Sequence, residues 1–282
     1  MRRLLPLLGV LFALGAGVAL GAGPLDDDTS NAASGKHAHV RTPPAFDEKF
    51  AGAVGPTLYG RRLAGQTVAI VTTPGVSPGV VTSLGEQVVA AGGTVASRTD
   101  LTDALTAPGQ KTLVDTMGTQ LATQLGAQVP ALKDPALTTY PRMGRLLGLA
   151  VATTAVPAPA GAPASTVRES LKAAKLADGL GGDAPAGVAP LVLVVLGDDL
   201  DDAIVNGLVQ GIAGQAHGVV VASRTRSADL ASLREHEAAA ATVDGVESVA
   251  GQVSAVLALV RQVTGGNGSF GASGIDGAVP VG

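Results

Sequence analysis

The sequence predicts an α/β fold: a Rossmann-like, doubly wound, mostly parallel sheet with an N-terminal membrane segment ahead of it. Three observations carry this expectation. The runs TVAIV (67–71), LVLVV (191–195) and GVVVA (218–222) are continuously apolar, as strands buried on both faces must be. Between them lie stretches with apolar residues at helical spacing, which implies helical crossovers joining parallel strands. The pentapeptide VASRT occurs twice, at 95–99 and 221–225, and each copy closes a strand, helix, strand unit of roughly 30 residues, the size of a βαβ crossover. The repeat marks architecture first.

Arg2 and Arg3 precede residues 4–25, which carry no charge. This stretch is long enough for a signal anchor, and Ala19-Leu20-Gly21 offers the small residues of a signal-peptide cleavage site. Under either reading the arginines stay inside and Asp26, Asp27 and Asp28 begin the exported side. Residues 26–49 are expected to form a polar linker containing Pro43-Pro44. An exported α/β domain then covers 50–264. Its elements are a strand at 67–71, a helix at 79–91 with Val81, Leu84 and Val88 on one face, a strand at 94–98, and helices at about 100–125 and 141–153. PAPAGAPA (157–164) reads as a linker and leads to an inserted helix near 166–178, where Thr166 and Glu169 have capping-box spacing and Gly179 supplies a stop. The second half gives a strand at 190–196, a helix at 201–214, a strand at 218–223, a helix at 227–241, a short strand in TVDGV, and a helix at 250–263. The Gly-rich tail, 265–282, gains order only by docking.

Composition excludes several classes. Net charge is −4 and no Lys/Arg-rich run occurs, so nucleic acid is not an expected partner. With no cysteine there are no disulfides, thiolate metal sites or cysteine nucleophile. Aromatic residues make up 2%, too few for the girdles of an outer-membrane barrel, and short strands separated by helices lack its alternating pattern. The domain is therefore expected to be water-soluble without residues 1–25. No G-x-G-x-x-G, Walker or G-x-S-x-G motif is present, and His236-Glu237 opens an H-E-x-x-H motif that fails at Ala240. The chain is not expected to be an enzyme.

In doubly wound sheets ligands bind at the carboxyl ends of strands, here TTPG (72–75), the two SRT segments and GDDLDD (197–202). Asp198, Asp199, Asp201 and Asp202 have the oxygens to hold a hard cation, and equally suit a helix start, where aspartates cap N–H groups. Arg98 and Arg224 suit an anion or a partner's carboxylate, or simple pairing with Asp100 and Asp229. His37 and His39 form an H-x-H pair able to contact Cu(II) or Zn(II). Met117 and Met143 lie in helical stretches and read as core packing rather than copper ligands.

Five stretches resemble one family: FALGAGVALGAG near the N-terminus, residues 50–75 (FAGAVGPTLYGRRLAGQTVAIVTTPG), MGRLLGLA (143–150), TVDGVESVAGQVSAVLALV (242–260) and GGNGSFG (265–271). Together they resemble the actinobacterial MctB/SteB family of copper-transport proteins. The resemblance implies one N-terminal membrane segment, an exported α/β domain, envelope protein partners, and a role in copper efflux or homeostasis at the cell envelope. It also implies an alternative, control of peptidoglycan hydrolysis in cell separation. The family's coiled coil after the membrane segment has no counterpart here, because residues 26–49 show no heptads.

Overall fold

A computed structural model describes residues 44–155, 162–180, 187–236 and 239–280. The apolar segment 4–25 and the His37/His39 pair lie outside the described residues. The chain opens with α1 (Pro44–Tyr59), β1 (Thr67–Thr72), α2 (Pro78–Ala90) and β2 (Thr94–Leu101). Helices α3 (Asp103–Thr106), α4 (Lys111–Leu125), α5 (Thr139–Val151) and α6 (Ala162–Ala173) follow, then β3 (Ala177–Asp178). The second half runs β4 (Leu191–Val195), α7 (Asp202–Ala213), β5 (Gly218–Ser223), α8 (Ala228–Glu235), β6 (Ala241–Asp244), α9 (Val249–Gln262) and β7 (Ser269–Phe270).

The strands form one seven-stranded sheet in the order β3-β2-β1-β4-β5-β6-β7. Every pairing is parallel except β2 with β3. Because successive side chains on a strand point to opposite faces, each central strand feeds two cores. Val68, Ile70, Leu191 and Leu193 join the layer of α1, α2 and α9, while Ala69, Val71, Val192 and Val194 join that of α3 to α8. The order reverses between β1 and β4, as in a doubly wound sheet. The two VASRT copies lie on corresponding strands but at different registers. Val95 pairs with Val68 near the start of β1 and β2 runs on to Leu101, so Arg98 is not at a strand end. Val221 pairs with Val194 near the end of β4, and β5 stops at Ser223. The first lies in β2 beside β1, and the second closes β5 beside β4. Val221 is buried, but Val95 is only half-buried, because β3 covers β2 only at Asp100 and Leu101.

One helix pair sets the packing of the α3 to α8 layer. Gly144 of α5 lies against Gly207 and Leu208 of α7, and Gly211 of α7 against Pro141 and Gly144, so the backbones touch, while Gly148 meets Ile212 and Gln215 one turn on. A Cβ on Gly211 would lie 2.5 Å from the carbonyl carbon of Gly144, and one on Gly144 2.9 Å from the Gly207 oxygen. Small residues four apart are what permits such close approach. MGRLLGLA is thus a packing surface.

Several boundaries differ from expectation. The inserted helix ends at Ala173 and β3 takes Ala177–Asp178, the helix expected at 227–241 ends at Glu235, and β2 runs to Leu101, past its expected end at 98. Helix α1 begins at Pro44, inside the expected linker, and α6 begins at Ala162, inside PAPAGAPA. Proline costs nothing in a first helical turn, whose N–H groups have no intrahelical acceptor. Thr166 consequently sits within α6, its carbonyl accepting the Ser170 hydroxyl at 2.8 Å, and is not the N-cap. The Gly-rich tail supplies β7, parallel to β6.

Replacing Gly211 with Ala is expected to lower stability by about 2–3 kcal/mol, since backbone must move to admit the methyl. The same change at Gly109, where a Cβ meets nothing within 4 Å, should stay within about 0.5 kcal/mol. Urea midpoints of the two variants check both values.

Candidate functional site

The carboxyl ends of β1 and β4 flank the point of strand reversal, where a doubly wound sheet normally opens a ligand crevice. Here the two loops are joined to each other. The Thr73 N–H donates to the Val195 carbonyl at 3.0 Å, and the buried Thr73 hydroxyl accepts the Gly197 N–H at 2.7 Å. Gly197 is so close that a Cβ on it would lie 3.0 Å from the Pro74 carbonyl carbon. Gly75, with φ +87°, completes the turn in a conformation that favours glycine. Main chain fills the crevice, and open surface is displaced to its flanks.

On the β2 side lies a cleft of about 340 Å³, bordered by Thr72, Pro74, Val81, Arg98 and Asp100. The Thr72 hydroxyl donates to Asp100 Oδ1 at 2.5 Å. Arg98 does not pair with Asp100. Its guanidinium lies against α2, where a Cβ on Gly85 would be 3.4 Å from Arg98 Cζ. The side chain is exposed and, among the described residues, has no salt bridge. An unpaired guanidinium at a cleft mouth is suited to a carboxylate.

On the β5 side the acidic loop is largely committed to the protein itself. Asp201 caps α7, accepting the N–H groups of Ala203 at 3.0 Å and Ile204 at 3.2 Å. Asp198 pairs with Arg224, so the structure brings these two candidates together while Arg224 and Asp229 stay apart. Asp199 holds a left-handed backbone, φ 58°, and Asp202 is exposed in the first turn of α7. Asp229 is only 5% exposed. Burial pushes its carboxyl above the usual range, a backbone hydrogen bond from Leu200 opposes this, and Asp202, Asp198 and Asp199 add repulsion. Among the described residues no three His, Cys, Asp or Glu side chains converge as a metal set.

The most heavily bonded group lies elsewhere, at the end of β6. Asp244 is 1% exposed and accepts the Ser273 hydroxyl at 2.8 Å and the Ser273 N–H at 3.1 Å. Arg234 lies 3.4 Å from its Oδ1. The same guanidinium donates to Thr242 Oγ1 at 3.0 Å, Ser273 Oγ at 2.8 Å and the Phe270 carbonyl at 2.8 Å. Burial alone would raise the Asp244 carboxyl, but the two bonds from Ser273, the charge of Arg234 and the Arg226 N–H hold it below the ordinary value. Glu247, three residues on, accepts the Thr225 N–H at 3.1 Å. TVDGVES therefore latches the tail onto the sheet and ties β6 to the second SRT. Sequence reading missed this because Arg234, Asp244 and Ser273 are far apart along the chain and each is unremarkable alone.

Fold and site together define a three-layer α/β domain with a sealed strand-reversal crevice, open flanking clefts and a latched C-terminal segment. The chain belongs to the MctB family, described as copper transport outer membrane protein, whose family model matches residues 2–281. No curated protein matches it.

The two buried aspartates predict opposite responses to acid. Asp229, raised in the folded state, costs stability above its folded pKa, and that cost disappears as pH falls through it. Asp244, depressed in the folded state, contributes stability that is complete above the unfolded carboxylate value near 3.9 and is lost as pH falls through the lower folded one. Asp229→Asn should remove the first effect. Asp244→Ala should remove the second, cost on the order of 3 kcal/mol at neutral pH by leaving Arg234 unpaired, and speed amide exchange at residues 269–271. Urea midpoints against pH, with hydrogen exchange, check both.

Proposed function

We propose that this chain acts in copper efflux or homeostasis at the cell envelope as a membrane-anchored, exported, non-catalytic domain that works through protein partners and does not itself hold Cu(I) tightly. The observation that carries the copper assignment is the family match over residues 2–281. The donor chemistry supports an indirect role. Tight Cu(I) sites use sulfur, and the chain has no cysteine. Met143 is 0% exposed, and Met117 is half-buried against the same core. Copper as cargo would meet at most imidazole at His37 and His39, a pair suited to weak Cu(II) contact. Residues 4–25 serve as the anchor, with Arg2 and Arg3 on the inner side.

A second reading is a scaffold that regulates peptidoglycan hydrolysis and cell separation. The sealed crevice favours it, since a domain that has closed its small-molecule site keeps its outer surface for partners, and Arg98 beside the 340 Å³ cleft is the side chain best placed to take a partner's carboxylate.

Deleting the gene and scoring copper sensitivity beside cell-chain formation separates the two. Copper-specific killing with normal division is the expected result, and chaining at ordinary copper levels would favour the scaffold. Complementation with His37→Ala/His39→Ala should restore copper tolerance, whereas Arg98→Glu should fail to do so if the cleft is the partner contact.

A further inference from the structure

Helix α1 is fixed to the domain by one face only. Glu48 accepts the Val249 N–H at 2.9 Å, at the start of α9. Gly55 sits where a Cβ would lie 2.9 Å from the Val253 side chain. Tyr59 is 0% exposed, and its hydroxyl donates to Gln87 of α2 at 2.9 Å. With that face held, the opposite one cannot rotate inward. It carries Phe46 and Phe50, each 60% exposed, one helical turn apart with ring centroids at 6.3 Å and planes 19° apart. The chain has four phenylalanines, so placing two in water on one rigid face is a large exposure of a scarce residue. Large exposed apolar groups in a cluster mark a docking surface.

We propose that this face of α1 docks on the lipid surface beside the anchor. The argument for lipid is the path of the chain. Residues 4–25 are the uncharged run, and only residues 26–43 separate them from Pro44, a spacer reaching at most about 60 Å fully extended. Helix α1 is thus the first described element on the exported side. Exposed charge beside the rings is one Asp47 and one Lys49, so the surface has no strong electrostatic preference and suits zwitterionic headgroups, with the rings at the headgroup and acyl boundary. Docking would hold the domain in one orientation, with α1 toward the membrane. This inference rests on the anchored reading proposed above.

The chain has no tryptophan, so a single one reports its own surroundings. Full-length Phe46→Trp and a reference, Leu113→Trp, which replaces a 40% exposed residue on α4, are reconstituted into phosphatidylcholine vesicles with and without bromine on the acyl chains. Vesicle flotation is scored in the same samples. The inference expects both variants to float, with bromolipid quenching at position 46 about threefold or more above that at 113, unchanged when the protein-to-lipid ratio is varied. Flotation with equal, weak quenching at both positions overturns docking while leaving the anchor intact. Blue-shifted emission from position 46 without bromolipid quenching, growing with protein density, assigns the face to a second copy and overturns it as well. Failure to float overturns the anchor and the docking together.

Discussion

The hydrogen bond from the Gly197 N–H to the Thr73 hydroxyl, 2.7 Å long and buried, ties together the loops that leave β1 and β4, at the place where a doubly wound sheet normally opens a ligand crevice. Its neighbours depend on it. Thr73 also donates through its main chain to Val195, and Pro74 packs on Gly197 where no side chain would fit. Beyond the parallel ladder that pairs β1 with β4, the interaction leaves no room for a ligand between their loops. Open surface lies beside it in the cleft bordered by Arg98, and farther along the sheet in a second cleft between Thr225, Gly245, Gly251 and the segment latched through Asp244. Open, shallow, mixed surfaces of this kind suit chain partners better than a small molecule, which needs enclosure.

The family's stretches acquire physical meaning in the same way. MGRLLGLA supplies the glycines that let α5 lie against α7. TVDGVES supplies Asp244, the acceptor of the tail, and Glu247, the acceptor of Thr225. GGNGSFG supplies β7, and Gly271, with φ +101°, stands where a Cβ would meet the Asp244 main-chain nitrogen at 2.7 Å. These are constraints of assembly. They fix the packing of the folded domain and leave the chemistry of any contact to the exposed residues between them.

Much of the sheet was legible because burial on both faces demands unbroken apolar runs, and β1, β4 and β5 have them. The two helix starts were missed for one reason: Pro44 and Pro163 read as breakers, although a first turn accepts proline. Strands β3 and β7, two residues each, have no periodicity to read. Ser269–Phe270 is held as a strand by the Arg234 bond to the Phe270 carbonyl, by Asp276, which accepts the Ser269 N–H at 2.8 Å, and by burial of the Phe270 ring in the core. Of the candidate residues, Asp201 was placed by a local rule, helix capping. The partner of Arg224 was not, since Asp229 turns inward in α8 and Asp198 arrives from the neighbouring loop. The latch itself required tertiary proximity that no local pattern encodes.

Copper remains the point at which family and donor chemistry make different demands. An account in which the chain works through partners requires that its own side chains leave Cu(I) to stronger ligands. Titration of the purified chain with Cu(I) against a chromogenic chelator of micromolar affinity tests that directly. No copper should transfer from the chelator to the protein, and the result should be the same with His37 and His39 replaced by Ala. Stoichiometric transfer at sub-micromolar free Cu(I) would contradict the account and make this chain a carrier in its own right.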